Sequence, residues 1–378
     1  MIIFQIVLTL LSIACLYKLS LLVSSSEGTA LLAATVYAFL PHTLVYPHLL
    51  GSEAIFVPLV VFSFYFMARY LLEQPWLSHL LLSGLMIGLA TLARPVTVLW
   101  PVASSVVALL TFRSQLPFKR WFGYLLVASL PLLLWMLLML SETGEFSMGQ
   151  GSASLGSNFY TTVEFVSETL SPADRIRIKE KYLTYGARDG GERMGFGQYL
   201  RFMSEYPLDY AAHQGRAVMM FVAKSGVNKV TKSYLQLFPE ALAEIDDIET
   251  RKSWRQRLEQ DGLLDTFQFY YQRYSILVVA AAVAGALFAV VMAVAVYGTV
   301  LLAIKYFRGE RSVSRRCMEA FICLFPWYIL LASMSSQRLQ SRHRAPAEFA
   351  ICLLFSIGIS SLYAVWQGAR SRKQPQAA

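Results

Sequence analysis

Trp121-Phe122-Gly123-Tyr124-Leu125-Leu126-Val127-Ala128-Ser129-Leu130-Pro131-Leu132-Leu133-Leu134-Trp135-Met136-Leu137-Leu138-Met139-Leu140 runs for twenty residues without a charge. The hydrocarbon core of a bilayer is about 30 Å thick and takes about 20 apolar residues to cross as a helix. This stretch is therefore read as a membrane span. Eight more runs read the same way, at about 2–23, 29–47, 54–72, 79–93, 95–112, 276–304, 317–334 and 347–366. The fourth run in chain order is short, and the second carries Pro41 and Pro47. A helix satisfies its own backbone donors and acceptors in lipid, so an all-α polytopic membrane protein is expected, with about nine transmembrane helices.

Composition supports that class. Of 378 residues, 56% are hydrophobic and 15% are charged, with a mean hydropathy of +0.48. An ordinary soluble domain is roughly 25% charged. The net charge of +9 does not argue for nucleic acid. Residues 141–275 hold 16 Lys/Arg and 18 Asp/Glu, while the membrane part holds the other 17 and 6. A basic excess flanking spans explains that split, and no nucleic-acid partner is expected. All four cysteines (Cys15, Cys317, Cys323, Cys352) fall in or beside apolar runs, so no disulfide framework is suggested.

Charge asymmetry orients the chain. Arg113 to Arg120, Lys305 to Arg316, and a tail with Arg370, Arg372 and Lys373 are basic, and parity puts all three on one face, the cytoplasmic one. Residues 1–140 then form an N-terminal bundle of six helices and 141–275 an outer segment. Residues 276–367 form a C-terminal bundle of three helices, and 368–378 a cytoplasmic tail. The outer segment is too long for a plain connection and is expected to be a mostly helical cap, periplasmic in a bacterial inner membrane. It opens with the Gly/Ser-rich stretch Gly149 to Asn158, and Tyr199, Phe202, Met203 and Tyr206 share a helical face within it. The same parity puts Met1 outside the cytoplasm, so a further helix upstream is expected.

One loop breaks the charge rule. Arg338, Arg342, His343 and Arg344 lie between the last two runs, on the outer face. Guanidinium forks match phosphate oxygens in pairs, so an anionic lipid phosphate is the natural ligand, with a solvated basic loop as the alternative. Arg94, before Pro95, is the lone charge between His79 and Arg113 and falls on the same side. It could join that phosphate site or serve as a snorkelling anchor. Glu53, flanked by His42 and His48, is the carboxylate at the junction of the second and third runs. An ionisable group there is wetted, paired or functional. The functional roles open to it are proton acceptor, donor-orienting group or contact to a divalent metal, whose identity the sequence leaves unknown. The acidic run Glu244 to Glu249 beside Arg251 to Arg257 reads as a solvated helix surface.

At these residues the chain resembles polytopic glycosyltransferases of the GT-C type, close to the dolichyl-phosphate-mannose protein mannosyltransferase-like and lipid A aminoarabinose transferase-like groups. Three stretches carry the resemblance: Leu31-Leu32-Ala33-Ala34 through Ser52-Glu53-Ala54, Gly84 through Arg94-Pro95, and Arg342-His343-Arg344-Ala345-Pro346-Ala347-Glu348. It implies inverting sugar transfer from a polyprenyl-phosphate donor to a glycan, lipid or protein acceptor at the outer membrane face. In such enzymes a carboxylate in the first outer loop acts as base. This chain starts at what looks like the second helix, so Glu53 matches a second acidic position. Arg94 and the 342–344 motif match basic positions suited to the lipid phosphate.

The physical logic agrees with that reading. A lipid phosphate leaves without protonation, Arg stabilises its charge, and a carboxylate takes the acceptor's proton. A transporter or flippase of lipid-linked glycans fits less well, since it should carry facing charges deep within broken spans. A non-catalytic assembly partner is a third reading, which the missing first outer loop keeps open.

Overall fold

The structure is a computed structural model that describes residues 1–48, 51–112, 117–144, 286–309, 311–333 and 345–371, with scattered positions between 176 and 283. Among the described residues there is helix and no strand, as the apolar runs require. Arg338, Arg342, His343 and Arg344 lie outside the described residues, as do nearly all of 145–285.

In chain order the helices are α1 (Ile2–Ser24), α2 (Glu27–Ala38), the short α3 (Pro41–Val45) with a 3-10 turn (Tyr46–His48), and α4 (Glu53–Ala68). There follow α5 (Leu77–Ala93), α6 (Trp100–Phe112), α7 (Phe118–Thr143), α8 (Ala286–Arg308), α9 (Val313–Ser333) and α10 (Glu348–Ser371). Local chemistry sets the breaks. Ser25 takes a left-handed backbone (φ 57°) after α1, and the Ser26 side chain accepts from Thr29 N–H to start α2. Pro95 lacks a backbone donor and forces its predecessor out of the helical region. Arg94 is accordingly extended, at φ −152° and ψ 123°.

Among the described residues, six helices are long and apolar enough to cross a membrane, or seven if α2 and the bent segment after it form one span. The nine runs of the sequence reading thus outnumber the helices that meet this standard. Each of the other three has a physical reason. The second bends by 61° between Glu27–Ala38 and His42–His48. α5 has 17 residues, which at 1.5 Å each gives about 25 Å of length. α9 carries Arg315, Arg316 and Glu319 within its first two turns.

Cross-helix bonds sort the helix ends into two sets. At one end Arg94, closing α5, reaches Glu53, opening α4. Glu348, opening α10, meets His42 of α3 there too. At the other end the Arg315 guanidinium, near the start of α9, donates to Val23 O and to Ser25 Oγ (3.0 Å) after α1. Thr111 of α6 bonds Tyr306 of α8 (3.3 Å), and Arg120 of α7 donates to Pro75 O (3.1 Å). The helices therefore alternate in direction. Arg120, Tyr306 and Arg315, all from the basic connections, gather opposite Glu53.

The core is one apolar body shared by helices before and after the 145–285 segment. Phe64 of α4 stacks on Trp100 of α6 (5.7 Å between ring centroids) and packs edge-on against Phe325 of α9 and Phe349 of α10. Two helix pairs close more tightly. On α5, a Cβ at Gly84 would lie 2.8 Å from Tyr124 O of α7, and one at Gly88 would run into Ala128 O. α8 and α10 cross through Gly298 and Gly358, where a Cβ at Gly358 would lie 2.6 Å from Val294 O. Small residues at such crossings let helix backbones approach where lipid leaves little hydrophobic driving force between spans. Outward faces stay apolar, with Leu110, Leu126 and Leu134 more than half exposed, as a lipid-facing surface should be.

Candidate functional site

Glu53 is the first residue of α4, where the helix dipole favours a carboxylate. Its Oε1 accepts from Arg94 Nη1 at 3.1 Å, and Ser52 Oγ lies 3.4 Å from Oε2. The side chains of Glu53 and Arg94 are 15% and 20% exposed, so water reaches both. The extended backbone before Pro95 turns Arg94 away from the α5 axis and across to α4. Gly51 leaves the carboxylate its room, since a Cβ there would stand 3.0 Å from Glu53 Oε2.

Behind this pair lies a second, drier one. His42 Nδ1 and Glu348 Oε1 are 2.6 Å apart, with side chains 4% and 2% exposed. Glu348 starts α10 directly after the 3-10 turn Ala345–Ala347, so it too sits at a helix N-terminus. The other ring nitrogen, His42 Nε2, is buried and has no hydrogen-bond partner among the described residues. Between the pairs is a cavity of about 20 Å³, lined by His42, Glu53 and Glu348 with hydroxyls of Thr9, Ser12 and Thr43. A space of that size holds about one water.

Of the residues the sequence reading singled out, the structure brings together Glu53, Arg94 and His42. His48 is exposed on the 3-10 turn after α3. Arg338, Arg342, His343 and Arg344 are outside the described residues, although Ala345, next in the chain, lines the cavity. The sequence reading gave Glu348 no role. The signal was present: like Glu53, it is a lone carboxylate at the start of an apolar run. Among the described residues no three His, Cys, Asp or Glu side chains gather closely enough to hold a metal ion. A second buried acid, Glu319, lies at the opposite end, 3.8 Å from Arg315 Nε.

The described residues form an all-helical bundle that holds Glu53, Arg94, His42 and Glu348 at one end. Residues 1–139 match the family model of dolichyl-phosphate-mannose-protein mannosyltransferases, which supports a resemblance to membrane glycosyltransferases of the GT-C type. The match covers α1 to most of α7, including Glu53, Arg94 and His42. The GT-C resemblance thus holds for the N-terminal bundle. No curated protein and no solved structure matches the chain.

Proposed function

We propose that the protein transfers a sugar from a polyprenyl-phosphate-linked donor to an acceptor hydroxyl at the outer face of a bacterial inner membrane. The observation that supports this best is the water-accessible Glu53–Arg94 pair at one end of the bundle, opposite the basic connections. In this reading the Glu53 end faces outward, because basic connections stay in the cytoplasm. Arg94, with Arg338, Arg342 and Arg344, binds the lipid phosphate and stabilises its charge as the glycosidic bond breaks. Glu53 accepts the proton of the attacking hydroxyl.

The resting ion pair has a consequence for that scheme. In the free protein Arg94 donates to Glu53 Oε1. An arriving phosphate competes for Arg94, so proton acceptance by Glu53 becomes coupled to donor binding. Among the described residues charged pairs lie at the two ends of the bundle, which favours chemistry at a surface over carriage through the middle.

The test is binding of a short polyprenyl phosphate to purified protein, combined with reporter fusions after residue 343. The expected result is binding that the joint substitution Arg342→Ala and Arg344→Ala removes, and a reporter on the outer face. Undiminished binding by the double variant would overturn the phosphate role. A cytosolic reporter would overturn the outer-face reading.

A further inference from the structure

We infer that His42, held by Glu348, recognises one hydroxyl group of the sugar being transferred and so sets which sugar the enzyme accepts. The inference rests on the glycosyltransferase reading and deepens it by naming the feature of the substrate that is selected.

His42 is 3% exposed and lines the cavity, yet its Nε2 has no partner among the described residues. A buried polar atom left unpaired costs free energy, so such an atom on a cavity-lining residue marks a place where something else binds. The ring cannot turn away freely. Its Nδ1 is tied to Glu348 Oε1 at 2.6 Å, and its face lies 5.2 Å from the Tyr46 ring centroid. Glu348 belongs to α10 and His42 to α3, with 306 positions between them in the chain, so the two ends of the sequence jointly aim this nitrogen.

Cavity size decides what can meet it. About 20 Å³ admits no sugar ring, but it admits one water or one hydroxyl projecting from a ring outside. Glu53 forms part of the same lining and is partly exposed, so a sugar lying against Glu53 can project a hydroxyl inward. A hydroxyl both donates and accepts. It therefore satisfies Nε2 in either protonation state of the ring, and Thr43 or Ser12 can complete its bonding.

Among the described residues, the charged and titratable groups around His42 are Glu348 and Cys352 of α10, Tyr37 of α2, Tyr46 of the turn, and Glu53 with its partner Arg94, while α1 contributes the hydroxyl residues Thr9 and Ser12. Neither an apolar substituent nor a second anion suits that setting. A deoxy sugar would leave Nε2 buried and unpaired. Sites built to bond a hydroxyl discriminate strongly against substrates that lack it.

The experiment measures kcat/KM for polyprenyl-phosphate hexoses that each lack one ring hydroxyl, using the full chain in detergent or nanodiscs. One position is expected to stand out, with the deoxy donor roughly 10- to 100-fold poorer than the parent. His42→Asn keeps a polar atom near Glu348 and removes the outer nitrogen. It should bring that single ratio close to one and leave the ratios at other positions unchanged. Glu348→Gln should shrink the same ratio, and Glu348→Asp should restore part of it. A purely structural role for His42 would lower activity on all donors alike, and that result overturns the inference while the glycosyltransferase reading stands. Wild-type protein inactive on every polyprenyl-phosphate sugar overturns both. Should His42→Asn fail to fold, His42→Gln, which places an amide near the position of Nε2, must retain the selectivity or the inference falls.

Discussion

Removing both partners of the Glu53–Arg94 pair should cost less than the two single losses added together. The pair is a charge-assisted hydrogen bond of 3.1 Å between side chains 15% and 20% exposed. Fully exposed pairs are worth about 0.2–1 kcal/mol, and cutting one partner from a buried pair costs about 3–5 kcal/mol. At this intermediate burial, Arg94→Ala or Glu53→Gln should each destabilise by about 1–2 kcal/mol, with a coupling between them of about 1 kcal/mol. Arg94→Ala should be the worse of the two, since it takes the guanidinium away from an ionised carboxylate that is mostly buried. In a domain of 150–250 residues 1 kcal/mol moves Tm by about 2–4 °C. In this longer chain each single variant should shift it by about 2–4 °C, and the double variant by less than the sum. The assay is thermal unfolding of the purified protein in detergent, followed by tryptophan fluorescence or size exclusion after heating. Strictly additive shifts would refute the pairing and the model of Arg94 release by phosphate with it.

Two further expectations concern the scaffold. Gly88→Val drives a side chain into Ala128 O and Pro131, so α5 and α7 must separate; destabilisation of about 1–3 kcal/mol is expected from overpacking, whereas Gly28→Ala, with no atom within 4 Å of the added carbon, should leave the melting curve unchanged. At the opposite end Arg315→Ala removes both bonds to the α1 turn and takes from Glu319, itself 2% exposed, the guanidinium 3.8 Å away. Glu319→Gln placed on top should recover part of the loss, and a double variant no more stable than Arg315→Ala alone would show that the pair is incidental.

Glu53, Arg94 and His42 were legible in the sequence because each is a polar residue at the end of an apolar run. A group in that position is costly to leave unpaired, so its presence alone raises the expectation of a role. Their pairing was not legible. Glu53 and Arg94 are 41 positions apart, and His42 and Glu348 are 306 apart. Helical periodicity links residues three or four apart and says nothing across such gaps. Spacing therefore shows neither the Glu53–Arg94 contact nor the place of Glu348, although Glu348 carries the same signature as Glu53.

Apolar run length and the bias of Lys and Arg determined, from sequence alone, that this is a helical membrane protein with its basic connections on one side. Those properties are summed over many residues and need no contacts. Tertiary structure decided which helix ends meet, which charges neutralise each other, and which nitrogen is left unpaired beside a cavity. Side-chain pairing depends on angles and distances of a few ångströms. In this protein they are set by glycine-lined helix crossings and proline-bounded turns that only the assembled bundle reveals.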